Sequence, residues 1–357
     1  MKKIKILFFL PHLVGGGAER VTINIIKQLD KQKFAITLVV LSKEGPAYKF
    51  LPNDLNIIEL YTSKTIFSIL KLRKVIKNMA PDIIFSSVFR GHIAIYFSLF
   101  NFQHKPKIIL RSPNSPKLIL ERKELNLYMK KLLDLVYKKA DKIIAQTPEM
   151  KEEIIKYHFI QDEKIEVFLN PLDKKMIKDK IKNEKNPFDI NKINVVAAGR
   201  LTKQKGFDIL IKSFKEVLSI NKNYMLHIIG EDQGEGEKLK LLITSLSLEH
   251  NVFLLGYQDN PYKYFYYSDL YVLSSRWEGM PNSVIENLYL KKPVIATKCI
   301  PFMSTLIKNK KNGFLVDVEN VEQLANAILN YKKLSDCGSI INLNNNVNDI
   351  FILNMEK

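Results

Sequence analysis

The sequence predicts an α/β protein built as two doubly wound parallel sheets joined by a linker. Three observations predict it. Short apolar runs of strand length alternate with stretches of helical periodicity, the mark of βαβ units. That rhythm stops in a polar, lysine-rich stretch and restarts at Ile193–Ala198. The chain of 357 residues has room for two domains, each with its own core. The expected divisions are a domain at 1–172, a linker at 173–191, a second domain at 192–335 and a tail at 336–357.

Composition narrows the class. Hydrophobic residues make up 46% and charged residues 26%, the profile of a soluble globular chain. No apolar run approaches the ~18–20 residues of a membrane-spanning helix. The opening IKILFFLPHLVGGGA resembles a secretion signal, but it breaks into a glycine loop and then a helix, as a first βα unit does. Two cysteines, Cys299 and Cys337, make no disulfide framework and fit a reducing cytoplasm. The net charge of +18 admits nucleic acid, anionic membrane or acidic substrate as a partner. No aromatic-rich single-strand motif or recognition-helix module accompanies it, which argues against nucleic acid.

In the first half, strands are expected at Lys3–Leu10, Ala35–Leu41, Asn56–Leu60, Asp82–Ser86, Lys107–Arg111, Lys142–Ala145 and Lys164–Leu169. Pro11 to Gly17 is a glycine-rich loop leading into a helix at Ala18–Leu29. A dinucleotide fold carries G-x-G-x-x-G there, but Gly15-x-Gly17-x-x-Arg20 lacks the third glycine, and the next strand ends in Ser42-Lys43 without an acid. A nicotinamide-dependent oxidoreductase is therefore not expected. His92 follows the Asp82 strand at a carboxyl edge, where it could touch substrate or simply sit exposed at a helix start. Two stretches, Ile66–Met79 and Leu125–Lys139, are basic and amphipathic. Ile66, Ile69, Leu70 and Ile76 are expected to share one face, and Leu125, Met129, Leu132, Leu133 and Val136 another. Such faces ordinarily pack on the core, and they can also lie on anionic lipid.

In the second half, the Ile193 strand runs into Gly199-Arg200-Leu-Thr-x-x-Lys205-Gly206. Two cations on a glycine-flexed strand end suit a diphosphate, Arg200 as a bidentate fork and Lys205 as a point charge. Later, Leu270–Leu273 and Pro293–Ala296 bracket a loop and a helix, forming a βαβ unit whose loop lies where α/β sheets bind ligands. Glu278 in that loop and Glu286 in the first turns of the helix stand eight residues apart, flanking Asn282 and Ser283 at the helix N-terminus, which favours anions. Ser283-Val-Ile-Glu286 also matches a capping box, so the spacing leaves open that Glu286 only caps its helix.

These motifs carry a resemblance. Glu278-Gly279-Met280-Pro281-Asn282-Ser283-Val284-Ile285-Glu286 resembles the Glu-x7-Glu signature of retaining glycosyltransferases of family 4, which have the GT-B fold. Gly199-Arg200-Leu-x-x-x-Lys205-Gly206 matches that family's Gly-Arg-Leu-x-x-x-Lys-Gly motif, and Gly16-Gly17-x-Glu19-Arg20 its first glycine loop. Arg111-Ser-Pro-Asn114 is similar to a loop in members that act on lipid-linked oligosaccharides. The Asn-rich tail Asn342–Asn348 departs from the family's long closing helix.

The resemblance implies two Rossmann-like domains facing across a cleft, the second holding a nucleotide-sugar, with a UDP-sugar expected. Arg200 and Lys205 then hold the diphosphate, Glu278 the sugar and Glu286 the ribose. Gly16, Gly17, Gly279, Met280, Pro281, Asn282, Ser283 and Val284 line the donor, Gly256 and Tyr257 meet the base, and His92 contributes from the first domain. The reaction implied is retaining transfer of a hexose or N-acetylhexosamine to a lipid-linked or polysaccharide acceptor. No Asp-x-Asp metal motif is present, so metal-independent catalysis without a cofactor is expected. Residence in the cytoplasm, peripheral on the inner face of the membrane through the two basic stretches, is expected as well.

Overall fold

The computed structural model describes residues 2–103, 105–121, 125–334 and 346–352. The chain divides into two compact units, Met1–Pro171 with Leu343–Lys357, and Leu172–Asn342. In the first, β1 (Ile4–Phe9), β2 (Phe34–Val40), β3 (Asn56–Glu59), β4 (Ile83–Ser86), β5 (Lys107–Arg111), β6 (Lys142–Ala145) and β7 (Ile165–Val167) make one sheet. Its order is β3-β2-β1-β4-β5-β6-β7, with every pairing parallel. Six helices belong to these crossovers: α1 (Gly17–Gln28), α2 (Ile69–Met79), α3 (Phe89–Ser98), α4 (Pro116–Glu121), α5 (Leu127–Lys139) and α6 (Pro148–His158).

Strand periodicity explains the layering. Along β1, Ile6 and Phe8 enter one core while Leu7 and Phe9 enter the core on the opposite face. The first of these cores is completed from far down the chain. Val347, Ile350 and Phe351 belong to it, with Phe351 fully buried and its ring 5.8 Å from both Phe8 and Phe85. Of the expected tail, residues 336–345 and 353–357 lie outside the described residues.

The second unit has β8 (Ile193–Ala198), β9 (Tyr224–Ile229), β10 (Val252–Gly256), β11 (Leu270–Leu273), β12 (Val294–Thr297) and β13 (Gly313–Val316). They are ordered β10-β9-β8-β11-β12-β13, again all parallel. Its helices are α7 (Lys174–Ile181), α8 (Phe207–Ile220), α9 (Gly236–Ser245), α10 (Pro261–Tyr267), α11 (Asn282–Tyr289), α12 (Met303–Leu306) and α13 (Val321–Leu329). The last described helix, α14 (Asp349–Ile352), is the one that carries Phe351.

Two expectations differ from the structure. The stretch 173–191 is structured: α7 buries Ile177, and Asn260 at the start of α10 donates to the Lys180 carbonyl at 2.7 Å. It therefore counts with the second unit. Nor do Ile66, Ile69, Leu70 and Ile76 share one face. Residues 65–68 form a 3₁₀ turn, which breaks the helical spacing. Leu72 and Ile76 are buried, while Ile66 is 68%, Phe67 64% and Leu70 79% exposed. In α5, Leu133 and Val136 do pack on the core, with Leu125 and Leu132 against them.

Candidate active site

In each parallel sheet the order in which successive strands are added reverses once, between β1 and β4 and between β8 and β11. The crevice beyond the carboxyl ends at such a reversal is where open α/β sheets bind ligands. In the second unit, β8 runs into the Arg200–Lys205 segment and β11 into the Ser274–Glu278 segment, so both motifs meet at one reversal.

The two loops lock together through a charge pair. Lys205 Nζ lies 2.7 Å from Glu278 Oε1, with the side chains 16% and 8% exposed. Ser275 Oγ donates to the same carboxylate oxygen at 2.6 Å, and Gln204 Nε2 reaches Oε2 at 3.5 Å. Buried charges survive only when paired and hydrogen-bonded, as here. Two glycines let the loops close. A Cβ on Gly206, whose φ is +61°, would stand 2.2 Å from the Ser274 carbonyl oxygen, and one on Gly199 would stand 2.7 Å from Lys205 Cε.

Arg200 is the contrasting cation. It is exposed, and its Nη1 donates to Gln233 Oε1 at 3.3 Å. Its fork is oriented and still open to an incoming anion. At the end of β10, Gly256 takes φ +67° and faces open space, and Tyr257 beside it is 56% exposed. Beyond β12, burial first and the Glu278 carboxylate second push the Cys299 thiol up to about 12, so it stays neutral.

Helix α11 corrects the capping-box expectation. Its N-cap is Pro281, and no side chain caps it. Ser283 lies inside the helix and accepts a bond from the buried Tyr271 hydroxyl at 2.7 Å. Glu286 is 6% exposed and accepts from the Tyr262 hydroxyl at 3.2 Å. The helix start also offers fewer donors than expected. The N–H of Asn282 bonds the Met280 carbonyl, and that of Val284 the Pro281 carbonyl, each at 3.0 Å. Gly279, Met280 and Pro281 lie in the loop that leads into the helix.

The remaining expected residues sit in the first unit. Gly16 is the N-cap of α1, with Gly17 its first residue. His92 is not at a surface: it is 0% exposed, bonded through Nε2 to the Ser86 carbonyl at 3.1 Å, with its ring 5.9 Å from that of Tyr137. Burial, with Arg111 nearby, pulls its pKa down to about 3. Arg111 is equally buried, its Nη2 donating to Asn170 Oδ1, and desolvation lowers it to about 9.

Sequence reasoning missed Gln204, Ser274, Ser275, Asp208, Tyr262 and Glu319, and it left Arg276 without a role. A weak signal existed for three of them. Ser274 and Ser275 directly precede the Glu278 loop, and Asp208 opens the helix after Lys205. Among the described residues, no group of three or more His, Cys, Asp or Glu side chains is placed to hold a metal ion.

A twin-sheet architecture with its charged residues at the second reversal defines a class, the GT-B proteins, and known proteins agree. Anabaena HepE in complex with UDP-glucose matches with a TM-score of 0.78 at 20% identity, covering 99% of this chain and 98% of that one. Residues 15–175 match the family described as Glycosyltransferase Family 4, and residues 178–345 match Glycosyl transferases group 1. The chain belongs to glycosyltransferase family 4. A protein of Methanocaldococcus jannaschii described as an uncharacterized glycosyltransferase is 34% identical over 257 residues, spanning 64% of this chain and 58% of that protein. The N-acetylgalactosamine-N,N'-diacetylbacillosaminyl-diphospho-undecaprenol 4-alpha-N-acetylgalactosaminyltransferase of Campylobacter jejuni is 28% identical, covering 88% of this chain and 87% of its own length.

Proposed function

We propose that this glycosyltransferase moves a hexose or N-acetylhexosamine from a UDP-sugar to a sugar hydroxyl of a lipid-linked or polymeric acceptor, with retention, in building a bacterial surface glycan. The observation that carries the reading is the Lys205–Glu278 pair, set by adjacent strand ends at the reversal beside α11. The Campylobacter relative, named for transfer to a diphospho-undecaprenol acceptor, supports the acceptor class.

In this reading the bond from the anomeric carbon to the diphosphate breaks, its electron pair leaving with the nucleotide. The acceptor oxygen takes that carbon, and its proton departs with the diphosphate. Arg200 and Lys205 stabilise the growing charge, which is the main electrostatic contribution. Glu278 orients the sugar and holds Lys205 ready. Glu286 meets the ribose, and Tyr257 lies against the base. Metal independence is part of the proposal, because two fixed cations supply the charge a divalent ion would bring. His92 is given a packing role.

We also place the enzyme at the cytoplasmic face of a membrane, peripherally. No helix among the described residues is long and apolar enough to cross one. The exposed Ile66, Phe67 and Leu70, interspersed with the exposed Lys64, Lys71 and Lys74, suit anionic lipid. Thermal protection across a panel of nucleoside diphosphates tests the donor reading: UDP should protect most, and indifference to all of them would overturn it. The full chain should pellet with anionic liposomes at low salt and be released near ~1 M salt, where screening acts within about 3 Å.

A further inference from the structure

A third cation, in the segment that follows β11, has all three of its guanidinium nitrogens bonded within the protein. Arg276 places Nη1 and Nη2 against the two oxygens of Asp208, both at 2.8 Å, and its Nε and Nη2 against Glu319. Nη1 also donates to the Lys203 carbonyl at 2.7 Å. Its pKa is raised above the ordinary arginine value, chiefly by Asp208, so it stays charged.

The contacts around it form a pattern. Three successive carbonyls of the turn that carries Lys205 accept from the segment just before Glu278: that of Lys203 from the Arg276 guanidinium, that of Gln204 from the Arg276 backbone N–H at 2.7 Å, and that of Lys205 from Ser274 Oγ at 2.8 Å. Gln204 Nε2 returns the tie to the Trp277 carbonyl at 3.0 Å. Glu319 reaches Arg276 from a left-handed backbone, φ +65°, a conformation a non-glycine residue keeps only when its surroundings hold it there.

We propose that Arg276, held by Asp208 and Glu319, is a positioning residue that sets the distance between Lys205 and Glu278. The inference rests on the donor-site reading given above. A lysine cannot replace it, because one ammonium cannot span two carboxylates and a carbonyl in a fixed fork. Displacements near ~1 Å at such a pair cost on the order of 10²-fold in rate.

The test uses the full chain with Arg276→Lys, and Glu319→Gln as the milder variant should the first not fold. Three readouts are taken: kcat and donor KM, thermal midpoint, and acrylamide quenching of Trp277, the chain's one tryptophan and the residue between Arg276 and Glu278. Arg276→Lys should lose kcat about tenfold or more with a smaller change in KM, and Trp277 should become easier to quench. In a Lys205→Ala background the same substitution should cause little further loss of kcat, because its effect passes through that pair. Unchanged kcat and unchanged quenching in a folded variant would overturn the proposal. So would a full additional loss of kcat in the Lys205→Ala background, which marks a merely structural role. Should wild type transfer from no donor, the reading of the site fails on its own, while the quenching comparison still judges the position of the loop.

Discussion

The two units share one architecture and finish it differently. The second unit draws its core from a single continuous span, whereas the first needs Val347, Ile350 and Phe351 from beyond the second. Their sheet edges differ as well. At the first edge, His92 and Arg111 are sealed from water, and no carboxylate pairs with Arg111 among the described residues. At the second, Lys205, Glu278, Arg276, Asp208 and Glu319 are paired across loops, and Arg200 is left open. Arginine, the residue type common to both edges, is treated in opposite ways: Arg111 is buried without a carboxylate, while Arg276 is held by two. Deep burial removes a titrating group from chemistry near neutrality, while partial burial with a partner keeps a charge fixed and usable.

The largest effect is expected where the first unit borrows its core. Phe351→Ala should cost about 3–5 kcal/mol of stability, because it empties a site ringed by Phe8, Phe34 and Phe85. Chemical denaturation followed by probes in each unit checks this; loss confined to the second unit would contradict the assignment of the tail.

Next in size is the charged edge. Arg200→Ala and Lys205→Ala should each lower transfer ~10²-fold or more with the fold retained. Lys205→Ala should also lower the melting point, since it strands the Glu278 carboxylate, while Arg200→Ala at an exposed site should not. Near-normal turnover by folded Lys205→Ala removes the pair from the chemistry.

A smaller effect separates the edges by pH. His92, with a folded pKa of about 3 against 6.5 unfolded, is neutral in the native state throughout that window. As pH falls below 6.5, the unfolded chain takes up a proton that the folded chain refuses, so stability is full above 6.5 and is lost toward 3, by at most about 1.4 kcal/mol per pH unit. His92→Gln should flatten this slope in urea titrations and leave the pH profile of kcat near neutrality unmoved. A steeper slope in the variant would reverse the sign and refute the burial account. The smallest effect is none at all: excess EDTA should leave transfer unchanged, and loss restored by Mg²⁺ or Mn²⁺ would show that fixed cations alone do not suffice.

Much of the fold is legible in the chain, because β- and α-periodicity are local. Every strand expected between Lys3 and Ala296 has a counterpart within a residue or two. The Gly-Arg-Leu and Glu-x7-Glu motifs are equally visible, and the structure brings their Lys205 and Glu278 into contact. The errors fall where a side chain has competing partners. Ser283 is spaced to cap its own helix, yet the buried Tyr271 hydroxyl underneath takes it instead. His92 reads as an edge residue, yet neighbouring elements close over it.

By itself, then, the sequence determined the succession of strands and helices, the two-unit plan and the charged residues of the second edge, since each depends on neighbours a few positions away. Only the tertiary structure decided what those charges touch. Arg276 finds Asp208 from 68 positions away and Glu319 from 43, and Phe351 enters a core whose strands begin the chain. Pairings at such separations follow from how the sheet orders its strands and which groups burial forces together, and no local spacing encodes them.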